Sequence, residues 1–269
     1  MAIRSAREAE IPRLYKFRGL SRRDRIEPIF RAETIYWPAI SELNDPFESK
    51  PRIVAPPIRS ALDKRKCERL AFDLLRRHGM SRDEAKARSK AASSPGFLAE
   101  RAIEMTRELP PALENYRVYS LAGNCQSILL WSHYAEAHTG ICLGFSTCNT
   151  YFGDALEVHY SKDLATMDFF DRKDETNLRA MALSKSEEWR YEHEFRLVSQ
   201  EPTPSGMLPV NDHLHVFDPA CLVEVIMGCN ISTEDEAFVR EMVALSSSPI
   251  KLRKAIRSEH RFALDFVDA

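Results

Sequence analysis

The stretch WRYEHEFRLV, residues 189–198, sets two carboxylates and a guanidinium at every second position of a segment otherwise rich in apolar and aromatic residues. In an extended strand, successive side chains point to opposite faces. Glu192, Glu194, Arg196 and Val198 then share one face, and Tyr191, His193, Phe195 and Leu197 share the other. Residues two apart on one face stand about 6.5–7 Å apart along the backbone. Two carboxylates at that spacing can act on neighbouring atoms of one substrate, and partial desolvation makes each shift the other's pKa. The bland alternative is a solvent-facing ladder in which Glu194 pairs with Arg196 or a cross-strand lysine. Lys185 upstream, with Trp189 and Tyr191 flanking the start of the strand, supplies the company that a flat ligand needs.

Other side chains could join such a site. LLWSHYAEAH places Trp131, Tyr134 and His138 near one face of a helix, and Ser132, His133 and Tyr134 could line a pocket between that helix and a sheet. His133 and His138 are five apart, which does not fit the i, i+4 spacing of helical zinc ligands. The plain reading of these residues is core and cap. In LNDPFE, Asn44 and Asp45 can close a turn and Phe47 can plug the core. Glu48 then lacks a structural reason, and Asn44 and Glu48 could hydrogen-bond a ribose or a base. Lys16 and Arg18 share the polar face of LYKFR and suit phosphate, the lysine as a point charge and the arginine as a fork. Asp212, His213 and His215 could touch a metal, but no further ligand is spaced to help them. There is no GxSxG elbow and no cysteine with an obvious histidine partner, which removes the common hydrolase readings.

The elements that must position these groups follow from pattern. LYKFR (14–18) reads as a strand, Ile26 to Ala32 as a helix with Pro28 in its first turn, and TIYW (34–37) as a short strand. Residues 58–110 form a helical insertion: Cys67, Leu70, Ala71, Leu74 and Leu75 make one apolar stripe, SRDE (81–84) is a capping box, and Leu98, Ala102, Met105 and Leu109 make another stripe closed by Pro110 and Pro111. Beyond it the reading is strand YRVYSLA (116–122), helix 127–138, strand ICLGF, strand LEVHY (156–160), helix Thr176 to Glu188 and strand EFRLVS. LVEVIMG (222–228), a capped helix and a final strand IKLRKA close the chain. The mixture predicts one α+β domain over residues 11–269 with a largely antiparallel sheet.

Composition bounds the function classes. The 269 residues are 44% hydrophobic and 29% charged, ordinary for a globular chain, and the net charge of −2 gives no global field for polyanions or membranes. Six cysteines at irregular spacings form no CxxC pair, which argues against a zinc ribbon and a disulfide framework. The N-terminus lacks the apolar core of a signal peptide, and no apolar run reaches the roughly 20 residues that span a bilayer. A cytoplasmic location is the expectation.

In their order, LYKFR, LNDPFE, LLWSHYA and W-x-Y-E-x-E-F-R resemble a bacterial family known only as a domain of unknown function, number twenty-nine seventy-one. The layout is also similar, more faintly, to the ADP-ribosyltransferase superfamily. That second resemblance implies NAD as substrate, Lys16 or Arg18 at a basic position on the first strand, and Tyr134 or Trp131 at an aromatic position. It implies Glu194 as the terminal glutamate and Glu192 as its partner. Cleaving the nicotinamide–ribose bond develops oxocarbenium character that a carboxylate would stabilise. The sequence departs from that pattern in carrying Lys16 where arginine or histidine is expected, and in setting its aromatic residue on a helix. Two other readings stand beside it: a magnesium-dependent nuclease using Asp45, Glu48, Glu192 and Glu194, and a non-enzymatic module that binds a nucleotide or a peptide.

Overall fold

Alternation in RLYKFR builds the first strand, β1 (Arg13–Arg18), with Leu14 buried on one face and Phe17 on the other. A computed structural model describes residues 3–55, 58–77, 79–91, 94–113, 116–168, 177, 180–200, 209–211 and 213–269. After β1 come α1 (Glu27–Arg31), whose first turn holds Pro28, β2 (Thr34–Tyr36) and β3 (Arg52–Val54). Three helices follow, α2 (Ala61–Arg77), α3 (Arg82–Ala91) and α4 (Pro95–Leu113), and Ser81 Oγ caps α3 by accepting the Glu84 N–H at 3.3 Å. The chain continues through β4 (Tyr116–Ala122), α5 (Ile128–Tyr134), β5 (Ile141–Ser146), α6 (Thr150–Gly153), β6 (Leu156–Glu157), β7 (His159–Ser161) and β8 (Thr166–Asp168). It ends with β9 (Ser184–Ser186), β10 (Glu194–Gln200), β11 (Pro209–Asn211), β12 (Leu214–Val216), β13 (Leu222–Met227), α7 (Thr233–Ala244), β14 (Lys251–Arg257) and β15 (Leu264–Asp268).

One large sheet organises the molecule, in the order β15-β14-β13-β5-β1-β4-β10-β6. Its pairings are antiparallel except for β13 with β14, which α7 connects as a parallel crossover. The α+β class with a largely antiparallel sheet is therefore as expected. Core residues fill both faces, with Leu14, Tyr119, Leu121, Phe145, Phe195 and Val225 on one side and Phe17, Ala122, Trp131, Cys142 and Ile226 on the other. One seam is incomplete. β1 pairs with β5 along its whole length, yet it meets β4 only at Tyr15–Ala122. Past that pair the two strands separate, and the sheet opens. No helix among the described residues is long and apolar enough to cross a membrane.

Several sequence expectations need correction. The strand expected from Trp189 is shorter, because Glu187–Glu192 form a 3-10 turn and His193 takes a left-handed φ of 45° before β10 begins. Tyr191 and His193 therefore do not share a strand face with Phe195 and Leu197. The helix expected over 176–188 is present at residues 177 and 180–182 and falls partly outside the described residues; its last residues form β9 and the 3-10 turn instead. α5 stops at Tyr134, and Glu136, Ala137 and His138 all have positive φ. α4 runs past the two prolines to Leu113. LEVHY divides into β6 and β7, and β14 is followed by a further strand, β15. Phe47 does not plug the core: it is 69% exposed, and Glu48 turns inward in its place.

Candidate functional site

Where β1 and β4 part, a cavity of about 350 Å³ opens, within the usual range for small-molecule sites. It is bordered by Lys16 and Arg18 from β1, Ser120 from β4, Tyr134 from α5, and Asn44, Glu48, Lys185, Glu192, Glu194 and Arg196 from elsewhere. Each arrives by a local device. Ser186 Oγ accepts the Glu188 N–H at 3.4 Å and so caps the 3-10 turn that carries Glu192. The left-handed His193 then redirects the chain, so that Glu192 and Glu194 converge although they do not lie on one strand. The Gly123 N–H holds the His193 carbonyl at 2.8 Å, a close approach that a side chain at position 123 would crowd. Tyr160 Oη accepts the first amide of β10, that of Glu194, at 2.8 Å. The β7–β9 pairing sets Lys185 beside Tyr160. Asp45 closes its turn alone by accepting the Phe47 N–H at 2.9 Å, which delivers Glu48 inward. Asn44 reaches Tyr134 Oη at 3.3 Å instead of capping the turn.

The acidic pair is bound into a buried charge network. Lys185 Nζ donates to Glu192 Oε2 at 2.6 Å and to Glu194 Oε2 at 2.9 Å, and lies 3.8 Å from Glu48 Oε2. Arg196 donates to both Glu194 oxygens, at 2.8 and 3.0 Å, and to the Ala182 carbonyl at 2.6 Å, and it pairs with Glu48 Oε1. Tyr134 Oη donates to Glu192 Oε1 at 2.8 Å. Glu48, Lys185, Glu192, Glu194 and Arg196 are all buried, so the solvent-facing ladder is not what forms. Three carboxylates face two cations, leaving one negative charge in excess. Burial opposes the charge of Lys185, but the Glu194 and Glu192 carboxylates outweigh it and hold its pKa above the usual lysine value. Burial also pushes the Glu192 carboxyl up, with the Lys185 ammonium pulling against it. The Tyr134 phenol also rises, through burial first and then the Glu192 charge. Lys185 also sits 5.1 Å above the Trp189 ring, so the upstream aromatic supports the lysine.

Lys16 differs from Lys185. Its Nζ donates to the Ser120 carbonyl at 2.6 Å across the parted seam and lies 4.8 Å from the centre of the Tyr119 ring. Burial, and then the Arg18 charge, push its pKa well below the usual lysine value. Arg22 and Arg25 also border the cavity, beside Arg18. Sequence reading passed over these two, although the basic run SRRDR directly after the first strand was a usable signal. Tyr160 had no such signal, since it reaches β10 only through the β6–β10 pairing and the Val158 N–H that donates to the Glu194 carbonyl at 2.9 Å.

Three expected lining residues lie elsewhere. Trp131 is buried in the core and gives its indole N–H to the Cys125 carbonyl at 2.8 Å. Ser132 and His133 are exposed, because successive residues of α5 turn away from the face that carries Tyr134. Ser132 Oγ donates to the Ile128 carbonyl at 2.9 Å and contacts His138 Nε2 at 3.1 Å, beside a separate cavity. Asp212 lies outside the described residues, while His213 stacks on Tyr36 and His215 on Trp37. Among the described residues no cluster of three or more His, Cys, Asp or Glu could hold a metal ion. In the acidic network the Lys185 ammonium occupies the centre where a hard cation would bind, which tells against the magnesium nuclease arrangement.

No curated protein and no solved structure matches the chain. Residues 130–197, which hold LWSHYA, WRYEHEFRL and the site residues Tyr134, Lys185, Glu192, Glu194 and Arg196, match the model of a family described as Protein of unknown function (DUF2971).

Proposed function

We propose that the cavity binds NAD and that the chain cleaves its nicotinamide–ribose bond, as an ADP-ribosyltransferase-like enzyme acting by transfer or hydrolysis. The observation that carries this reading is the polarity of a single cavity, which Arg18, Arg22 and Arg25 border together with Glu48, Glu192 and Glu194. A dinucleotide has the complementary pattern: an anionic pyrophosphate beside a ribose that turns cationic as its N-glycosidic bond breaks. Guanidinium forks suit the pyrophosphate. The excess negative charge of the acidic network suits the oxocarbenium, and its groups are already oriented by Lys185, Arg196 and Tyr134. Glu194 accepts from the ribose hydroxyls while facing the developing charge. Glu192, its carboxyl raised by burial, takes a proton from the acceptor.

Purified protein incubated with NAD should release nicotinamide. Glu194→Gln should lower that rate by about 100-fold or more, the usual effect of removing one stabilising group from a transition state. A melting curve for each protein separates lost chemistry from lost folding. Equal turnover by wild type and folded Glu194→Gln defeats the proposal. NAD binding without product, surviving Glu194→Gln, would assign the cavity to sensing.

A further inference from the structure

Lys16 is placed unlike any ordinary surface lysine. It lies half-buried on β1 and lines the cavity. Lys185 and Arg196 take up the carboxylates of the acidic network, and among the described residues none pairs with Lys16. Its hydrogen bond runs to a backbone carbonyl, that of Ser120, and its other neighbour is the face of Tyr119. One hydrogen bond needs one N–H, which a neutral amine supplies as well as an ammonium and with its lone pair to spare.

We propose that Lys16 is the reactive amine of this cavity and forms an imine with the aldehyde carbon of a phosphate-bearing ligand. The ligand class follows from the neighbours. Arg18, Arg22 and Arg25 border the same cavity and can hold a phosphate, which leaves the carbonyl end to the amine. The step balances without a redox partner. The Lys16 nitrogen lone pair adds to the carbonyl carbon, the two amine protons pass to the carbonyl oxygen, and that oxygen leaves as water as the C=N bond forms. The charges facing Lys16 act in both directions. Burial and the Arg18 and Lys185 cations favour the neutral amine, and the Glu194 and Glu192 carboxylates oppose them less strongly. Lys16 is thereby relieved of the phosphate-holding role suggested by its sequence position.

Reductive trapping tests this on the full chain. The protein is incubated at neutral pH with cyanoborohydride and one of two probes, ADP-ribose or glyceraldehyde 3-phosphate, and the modified lysines are mapped by peptide mass spectrometry. Lys16 should be labelled ahead of the other lysines, by on the order of tenfold for each pH unit by which its amine titrates below theirs. Inorganic phosphate should slow the labelling, and Lys16→Met should abolish it at that peptide only. Labelling by both probes supports the amine and is compatible with NAD chemistry. Labelling by glyceraldehyde 3-phosphate alone supports the amine while counting against the dinucleotide reading. If wild-type Lys16 stays unmodified while exposed lysines react, its Nζ is a structural tie to Ser120 and the proposal fails. That readout does not depend on the variant folding.

Discussion

Arg196 is the residue whose loss the network could least absorb. It has no exposed surface, it grips both oxygens of Glu194, and it meets Glu48 from a segment far away in sequence. Removing one partner of a buried pair strands the charges left behind, at a cost of about 3–5 kcal/mol, whereas the intact pair adds little net stability. Arg196→Met should therefore lower the urea unfolding free energy by about 3 kcal/mol or more. A loss of under about 1 kcal/mol, the scale of an exposed pair, would mean that Glu48 and Glu194 find other partners. The placement of Lys185 carries the same lesson in chemical form. An ammonium at the centre of three carboxylates orients them, yet leaves each acidic oxygen capacity to accept another donor.

Between elements, the connection following β1 is held by a side chain from beyond α5. Glu136 accepts the Leu20 N–H at 3.0 Å, the Ser21 N–H at 3.1 Å and the Ser21 hydroxyl, and it borders the cavity. The Ser21 hydrogen bonds hold its pKa below the ordinary 4.5. A carboxyl depressed by folding stabilises the fold above its unfolded pKa, and that contribution is lost as pH falls through the lower folded value. The latch should be closed at neutral pH and should open in acid, below about pH 4.5. Hydrogen-exchange protection at Leu20 and Ser21 should therefore drop in acid, and Glu136→Gln should show the reduced protection already at neutral pH. Unchanged protection in the variant would show that β1 and α1 hold this connection without Glu136. Because the same loop carries Arg22 and Arg25, the latch sets the position of the basic end of the cavity.

At the scale of the whole molecule, the β11-β12-β2 sheet is fastened to the core through a ring stack. His215 is fully buried, its ring lies 4.3 Å from that of Trp37 at 22°, and Trp37 stacks in turn on Tyr119 of the large sheet. Burial, with the Arg117 charge adding to it, lowers the His215 pKa from 6.5 to about 4. The unfolded chain therefore binds a proton in a range where the folded chain does not. Stability is fully present above pH 6.5 and declines as pH falls towards about 4. Thermal melting between those limits should show a falling Tm in wild type and a flatter profile in His215→Gln. Equal slopes would place the acid sensitivity elsewhere.

Much of this architecture is legible in local pattern. Two-residue alternation marks β1, β4 and β10, serine caps mark α3 and α7, and the WxYExEFR and LLWSHYA motifs point to the segment that holds most of the acidic network. Local signals are short-range, so they misjudge the places where the chain breaks its own period. The 3-10 turn and the left-handed His193 make Glu192 and Glu194 converge by a bend where a strand was expected. Sequence by itself determined the α+β class, the antiparallel bias and the presence of an unusual carboxylate pair. Tertiary structure alone decided that Glu48 joins that pair, that Lys185 neutralises its centre, that Trp131 is core and that β1 and β4 part to make room for a ligand. The physical reason is that burial and ion pairing act between groups that meet only after folding: Glu48 lies far from the pair along the chain, and even Lys185, seven and nine residues away, is set in place by the β7–β9 pairing.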